Sequence, residues 1–229
     1  MKIFIYSSLF ILLFYQISIA QAVDPKNVIR TNTLDYSATG GYVNAFNNTT
    51  DTTEGSPYLF SNWNFPVKIY TSTKEAFQIL NFNYNIENKS VESKVSDNSV
   101  FIFDPKNINY IVRDGLTYRY FDINKNFVLC KINYESPKVN FVTVYTTTIS
   151  KGVLNPMTQI TSNSRYNQYS DYFVQVNKYT FEKIKLNKST ILNLFGDKAS
   201  LVSTFAKNNN LSFGAEKDVV AIFNYFSSL

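Results

Sequence analysis

Hydrophobic and polar residues alternate most clearly where Leu80, Phe82, Tyr84 and Ile86 interleave with Asn81, Asn83 and Asn85. A period of two predicts a strand with one buried face. The same texture returns downstream. Val100 to Phe103 is a short apolar run closed by Asp104-Pro105. Tyr110 to Arg113 and Leu116 to Tyr120 flank Asp114-Gly115. Asp-Gly between two β-prone runs predicts a tight hairpin, because both turn residues must take positive φ. Phe127 to Tyr134 and Val139 to Thr147 read as the next pair of strands, joined through Glu135-Ser136-Pro137-Lys138. A further hairpin is expected from Tyr172 to Leu186, turning near Asn177-Lys178.

After Leu186 the period becomes helical. Asn187 or Ser189 can cap a short helix through Ile191, Leu192, Leu194 and Phe195, stopped by Gly196. Asp197 can cap a second, with Leu201, Val202 and Phe205 inward. A third carries Val219, Ile222, Phe223 and Phe226 on one face. Strands first and helices last predict an α+β fold. The expected form is mainly an antiparallel β meander, as a curved sheet or partial barrel, followed by two or three C-terminal helices. One domain spans 57–229, β-rich over 57–186 and helical over 187–229.

Residues 23–56 are rich in Thr, Asn, Ser and Gly and read as a flexible N-terminal arm. Ahead of them, Met1-Lys2 is followed by an uncharged run from Ile3 to Ala20 and an Ala20-Gln21-Ala22 tail. That is the pattern of a cleaved signal peptide over residues 1–22. The expectation is an exported chain, periplasmic or extracellular, and not integral to the membrane after cleavage. The alternative is an apolar segment retained as an anchor.

Composition narrows the chemistry. Among 229 residues there is no His and one Cys, which removes His-based catalysis, disulfides within the chain and multi-cysteine metal sites. The formal charge of +5 comes without a dense Lys/Arg cluster, so no nucleic-acid partner is expected. Asp122 to Asn126 opens like a calcium loop, but Phe127 and Asn133 stand where that loop needs Gly and Glu. A hairpin turn explains these residues more simply. Cys130, between Val128 and Ile132, reads as a buried small residue. Asp104, Asp114 and Asp122 are the nearest set for carboxylate catalysis, yet two of them are accounted for as turn residues. No catalytic residue, metal ligand or cofactor is expected.

The chain holds 17 Tyr. A Tyr ring can stack on a sugar or a peptide while its hydroxyl bonds. Tyr110, Tyr118 and Tyr120 form the candidate binding surface: the hairpin turn is expected to bring the three rings within cross-strand reach, as a platform or as a core cluster.

Gly55-Ser56-Pro57-Tyr58-Leu59-Phe60, followed by Asn83-Tyr84-Asn85-Ile86, resembles the opening pair of motifs in a family of secreted Bacteroidota proteins of unknown function. The ending is similar to that family's close: Leu192 to Lys198, Phe205 to Leu211, Glu216 to Val219, and Phe223 to Leu229. The resemblance covers residues 55–229. It implies export and a fold of this class, and it brings no assigned activity. The function expected is a non-enzymatic binding or envelope-associated protein with a glycan or protein partner. The alternatives are a His-free hydrolase using carboxylates and an N-terminally anchored accessory subunit of an envelope complex.

Overall fold

The computed structural model describes residues 28–30, 40–45, 53–177 and 180–229. The expected signal peptide, 1–22, lies outside the described residues. Strands are β1 (Val28–Arg30), β2 (Gly41–Ala45), β3 (Asn64–Thr71), β4 (Ala76–Asn85), β5 (Ser90–Ser96) and β6 (Ser99–Phe103). They continue as β7 (Ile108–Arg113), β8 (Leu116–Ile123), β9 (Asn126–Glu135), β10 (Val139–Ser150), β11 (Arg165–Val176) and β12 (Glu182–Ile184). Helices α1 (Lys188–Asn193), α2 (Ala199–Asn208) and α3 (Glu216–Ser228) follow. The protein is an α+β fold: a curved, unclosed antiparallel sheet with its helices at the C-terminal end. The strand order is β12-β11-β10-β9-β8-β7-β3-β4-β5-β6-β2, with β1 beside β4 in parallel.

Local chemistry sets the turns. Asp114 and Gly115 take φ of 51° and 72°, the geometry that matches strand twist in a two-residue hairpin. Asn124 and Lys125 do the same between β8 and β9. Those residues are a turn, where the sequence also offered the start of a calcium loop. Asn187 caps α1 by accepting from Thr190 N–H, and Gly196 ends that region at a φ of 51°. Asp197 does not cap α2, which starts at Ala199 after a short 3-10 turn. The helix is therefore rotated from the expected face. Val202 and Ala206 are buried, whereas Leu201 is 49% exposed.

The curvature comes from β4. Its first half pairs with β3 and its second half, Phe82 to Asn85, pairs with β5. Its alternation slips where it changes partner, opposite a register shift in β3. Phe77 and Ile79 are buried, then Phe82, Tyr84 and Ile86. Leu80, expected inside, falls at the slip and is 53% exposed. A bulge of this kind bends a strand and re-aims its side chains. The second layer, β4-β5-β6-β2, then folds over the first. Phe82, Tyr84, Val91, Phe101 and Phe103 meet Val67, Ile69, Ile111, Tyr118, Tyr120 and Leu129 between them.

The helices cover the other end of the same inner face. Val219, Ile222, Phe223 and Phe226 of α3 pack on Val139 and Phe141 of β10 and Val174 and Val176 of β11. Burying each large apolar side chain contributes about 1.5–3 kcal/mol. A third cluster lies on the opposite face, with Cys130, Val142, Val144 and Phe173 under Phe181.

Two parts of the expected arm, 23–56, are built into the sheet. β1 pairs with β4 and β2 with β6. Nor is Glu54 loose: its N–H donates to Ser164 O at 2.8 Å, and its C=O accepts from Tyr166 N–H at 2.9 Å. The chain from Glu54 to Phe60 forms a strap from β11 to β4. Leu59 N–H donates to Tyr84 O, and Ile86 N–H donates to Pro57 O, both at 2.9 Å. Asn83 completes the strap. Its amide accepts from Phe60 N–H at 3.0 Å and donates to Phe60 O at 2.8 Å, as a strand backbone would. The Gly55–Phe60 and Asn83–Ile86 segments, two dozen residues apart in the chain, are thus one hydrogen-bonded unit.

Candidate functional site

The sheet forks between β9 and β10. β9 pairs with β10 from Glu135↔Asn140 to Cys130↔Val144 and no further. Beyond that rung β9 continues with β8 to the Asn124-Lys125 turn, while β10 continues with β11 to Ser150↔Arg165. A cavity of about 440 Å³ fills the fork. Ile123, Val128, Val144 and Phe173 give it an apolar floor. Its rim is polar and of mixed charge. Lys89 Nζ donates to Asn126 Oδ1 at 2.6 Å on one side, and Lys183 pairs with Asp171 at 2.7 Å on the other.

Strands that part leave edges. An edge strand directs every second N–H and C=O away from its one partner. At Leu129, the first residue past the last rung, the protein satisfies this itself: Leu129 N–H donates to Tyr84 OH at 3.2 Å. On the β10 side, Tyr145 begins the unpaired edge. Its ring packs against the sheet core, and burial, with Tyr118 and Glu216 nearby, raises its phenol pKa. Beside it, Lys131 Nζ reaches Glu216 Oε1 at 2.9 Å, and Tyr172 OH donates to Glu216 Oε2 at 3.0 Å. This polar seam joins α3 to the sheet between the two inner cores.

The three expected Tyr do not form one surface. Tyr118 and Tyr120 are 4% and 6% exposed and belong to the core between the layers. Tyr118 lies edge-on to Phe60, and Tyr120 stacks on Phe127 at 5.1 Å. The hairpin register sets Ile111 against Tyr118, so Tyr110 falls opposite Arg119 and faces the other way. There it stacks on Tyr70 at 4.3 Å with 15° between the rings. A two-residue turn determines that parity, and the expected pairing of Tyr110 with Tyr118 or Tyr120 missed it by one residue.

The other candidates hold the fold. Cys130 is fully buried, its Sγ 3.6 Å from Val128 O, and burial pushes its thiol up to about 12. Asp104 Oδ1 accepts from Lys106 N–H at 3.0 Å and caps a 3-10 turn. Asp114 occupies the hairpin turn at the far end of β7, so the two carboxylates stand at opposite ends of a strand about 20 Å long. Glu92 is buried, one oxygen held by Tyr58 OH at 2.9 Å and the other by Ser90 Oγ at 2.6 Å. Among the described residues no three Asp, Glu or Cys side chains group as a cation site. None of their helices is long and apolar enough to cross a membrane.

The fork escaped the sequence reading. Its one signal is the length of β10–β11, twelve residues each, against ten and eight for β9 and β8. No protein-family model matches the chain, and no curated protein or solved structure matches it.

Proposed function

We propose that the protein is an exported, non-catalytic binding protein of the cell envelope, and that its ligand site is the fork between β9 and β10. The observation that carries this reading is the cavity itself. Its size, apolar floor and polar rim are those of ligand-binding clefts. Export is supported by the charge and cleavage pattern of residues 1–22. The partner class follows from the walls. Strand edges lining an apolar slot favour an extended peptide segment, whose main chain continues the ladder while its side chains fill the floor. A glycan would need an open aromatic face; Phe173 in the floor is largely covered, and Tyr145, the other ring at the cavity, packs against the core.

The test uses the full chain on a peptide array and a glycan array, beside a Thr146→Trp variant that fills the exposed rim. Peptide binding that the variant loses by about tenfold or more, with Val144 to Thr147 amides protected from exchange on binding, supports the reading. Glycan binding without peptide binding replaces the partner class. Turnover of any hydrolase substrate panel, abolished by changing a carboxylate, overturns the non-catalytic assignment.

A further inference from the structure

The far end of the β10–β11 ribbon carries four apolar side chains that are largely exposed. Val153 is 73% exposed, Leu154 52%, Met157 94% and Ile160 67%. They occupy the loop 151–164, beyond the last ladder rung at Ser150↔Arg165. Isolated exposed apolar residues are ordinary, but a cluster at the tip of a projecting hairpin marks a contact site.

Hydrogen bonds within this loop fix its shape. Val153 N–H donates to Ser162 Oγ at 2.9 Å, and Ser162 N–H returns to Val153 O at 3.1 Å. Asn155 N–H donates to Ile160 O and Gln159 N–H to Asn155 O, both at 2.9 Å. Asn155 Oδ1 also accepts from Met157 N–H at 2.9 Å and Thr158 N–H at 3.3 Å. Even the Gln159 amide is used, donating to Pro156 O at 2.9 Å. At the neck, Gly152 is pressed so close to Ser162 that a β-carbon would sit 1.8 Å from its carbonyl oxygen. Such a loop holds its apolar side chains out in a defined arrangement, ready to meet a surface.

Charge points to the occupant. From Ser136 to Ser170 there is no acidic residue, while Lys151 and Arg165, at the two sides of the loop, are basic. Glu54, beside Arg165, lies at the base of the tip and is contacted there by Asn163. Lys151 stands next to the apolar cluster and is exposed. Apolar side chains flanked by cations match an anionic lipid interface, where the chains enter the acyl boundary and the cation meets headgroups.

From these features we infer that the β10–β11 tip docks on an anionic phospholipid surface, through Val153, Leu154, Met157 and Ile160 with Lys151 at the headgroups. This goes beyond the binding cleft and does not depend on what the cleft holds.

The apolar run at Ile3–Ala20 would by itself bring the full chain to vesicles, so the readout must be local to the tip. Met157→Cys in the full chain, labelled with an environment-sensitive dye, provides it; Cys130 is buried and leaves the new thiol as the reactive one. Thr204→Cys on α2, labelled alike, is the control. The probes are vesicles of phosphatidylglycerol with phosphatidylethanolamine, and vesicles of phosphatidylcholine alone. The expected result is a blue shift and loss of iodide quenching at position 157 on the anionic vesicles, with none at position 204. Val153→Ser with Ile160→Ser in the labelled chain should weaken that response about tenfold or more. An equal shift on both vesicles overturns the role of charge. A shift at both positions overturns the tip as the contact. No shift at 157 while the chain sediments with vesicles overturns the lipid assignment and leaves a protein surface as the occupant.

Discussion

One ribbon of two strands, β10 and β11, runs through two different environments. In its proximal half, Val139–Val144 against Asp171–Val176, both faces are covered. Phe141 and Val174 lie under the helices, and Val142, Val144 and Phe173 lie under Phe181. In its distal half, Tyr145–Ser150 against Arg165–Ser170, most side chains are exposed. The antiparallel ladder is unbroken across both halves. Pairing therefore does not distinguish them, and an isolated two-stranded ribbon is marginal in water. What separates the halves is apolar burial. The proximal half is anchored by apolar cores on both faces, while the distal half is held mainly by hydrogen bonds to the Glu54–Phe60 strap and forms a wall of the cleft.

The largest effect tests the anchor. Phe223 of α3 is fully buried and meets Phe141 at 5.3 Å and Phe195 at 5.7 Å. Phe223→Ala should cost roughly 3–5 kcal/mol in urea unfolding. Exchange protection should fall at Phe141 and Val174 more than at Thr148. An unchanged midpoint would show that the helices do not hold the ribbon.

Alkaline pH should act next, at the rung where the halves meet. Cys130 titrates near 9 when unfolded and is pushed up to about 12 by burial. Burial also raises Tyr84, Tyr118 and Tyr120 above 10. Between the unfolded and folded values the unfolded chain has lost a proton that the folded chain keeps. Stability is thus intact below pH 9 and declines as pH rises, by up to about 1.4 kcal/mol per pH unit for each such group. Cys130→Ala should delay the onset of alkaline unfolding to about pH 10, where the Tyr residues begin to titrate. An onset unmoved in the variant would remove Cys130 from the account.

The strap comes third, because it ties the distal half to the second layer. Gln168 of β11 donates to Ser56 O and Tyr58 O, both at 2.8 Å, while Asn83 holds Phe60 from the other side. Asn83→Ala strands Phe60 N–H and C=O and should cost about 1–3 kcal/mol. Amides of Leu59, Phe60 and Tyr166 should exchange faster, with those of α3 unchanged. Uniform loss of protection would mean that the strap is part of the main core.

These two regions also differ in how far the sequence exposes them. The α3 stripe, the Asp114-Gly115 turn and the Asn187 cap are legible because each depends on residues within a few positions of one another. Asn83 is not. It reads as the polar face of a strand, and it is buried because a segment twenty-three residues away lies across it. Tyr118 and Tyr120 fail for the same reason: alternation says that they share a face, but not that a second layer covers it. Leu80 is misplaced by a bulge that no local pattern announces. The fork depends on where two long strands stop pairing, which is a property of both together.

Gly115 supplies a smaller effect away from the ribbon. A β-carbon there would meet nothing within 4 Å, yet its φ is +72°. Gly115→Val should therefore cost about 1–2 kcal/mol through backbone strain alone. Gly115→Asn, which tolerates that conformation, should recover most of it. Equal losses in both variants would point to a packing role for this turn.

The smallest effect on stability belongs to the tip, and there the comparison is sharpest. Val153→Ser with Met157→Ser removes two apolar side chains, yet both are mostly exposed in the folded chain. The hydrogen bonds that shape the loop come from backbone groups, Ser162, Asn155 and Gln159, and both substitutions spare them. The melting temperature should stay within the range of a surface change, about 0.5 kcal/mol or less. Two apolar residues in the proximal half, changed the same way, would unfold it. A marked loss of stability from the tip variant would show that Val153 or Met157 packs against the body of the protein in solution. The distal half would then be as anchored as the proximal one.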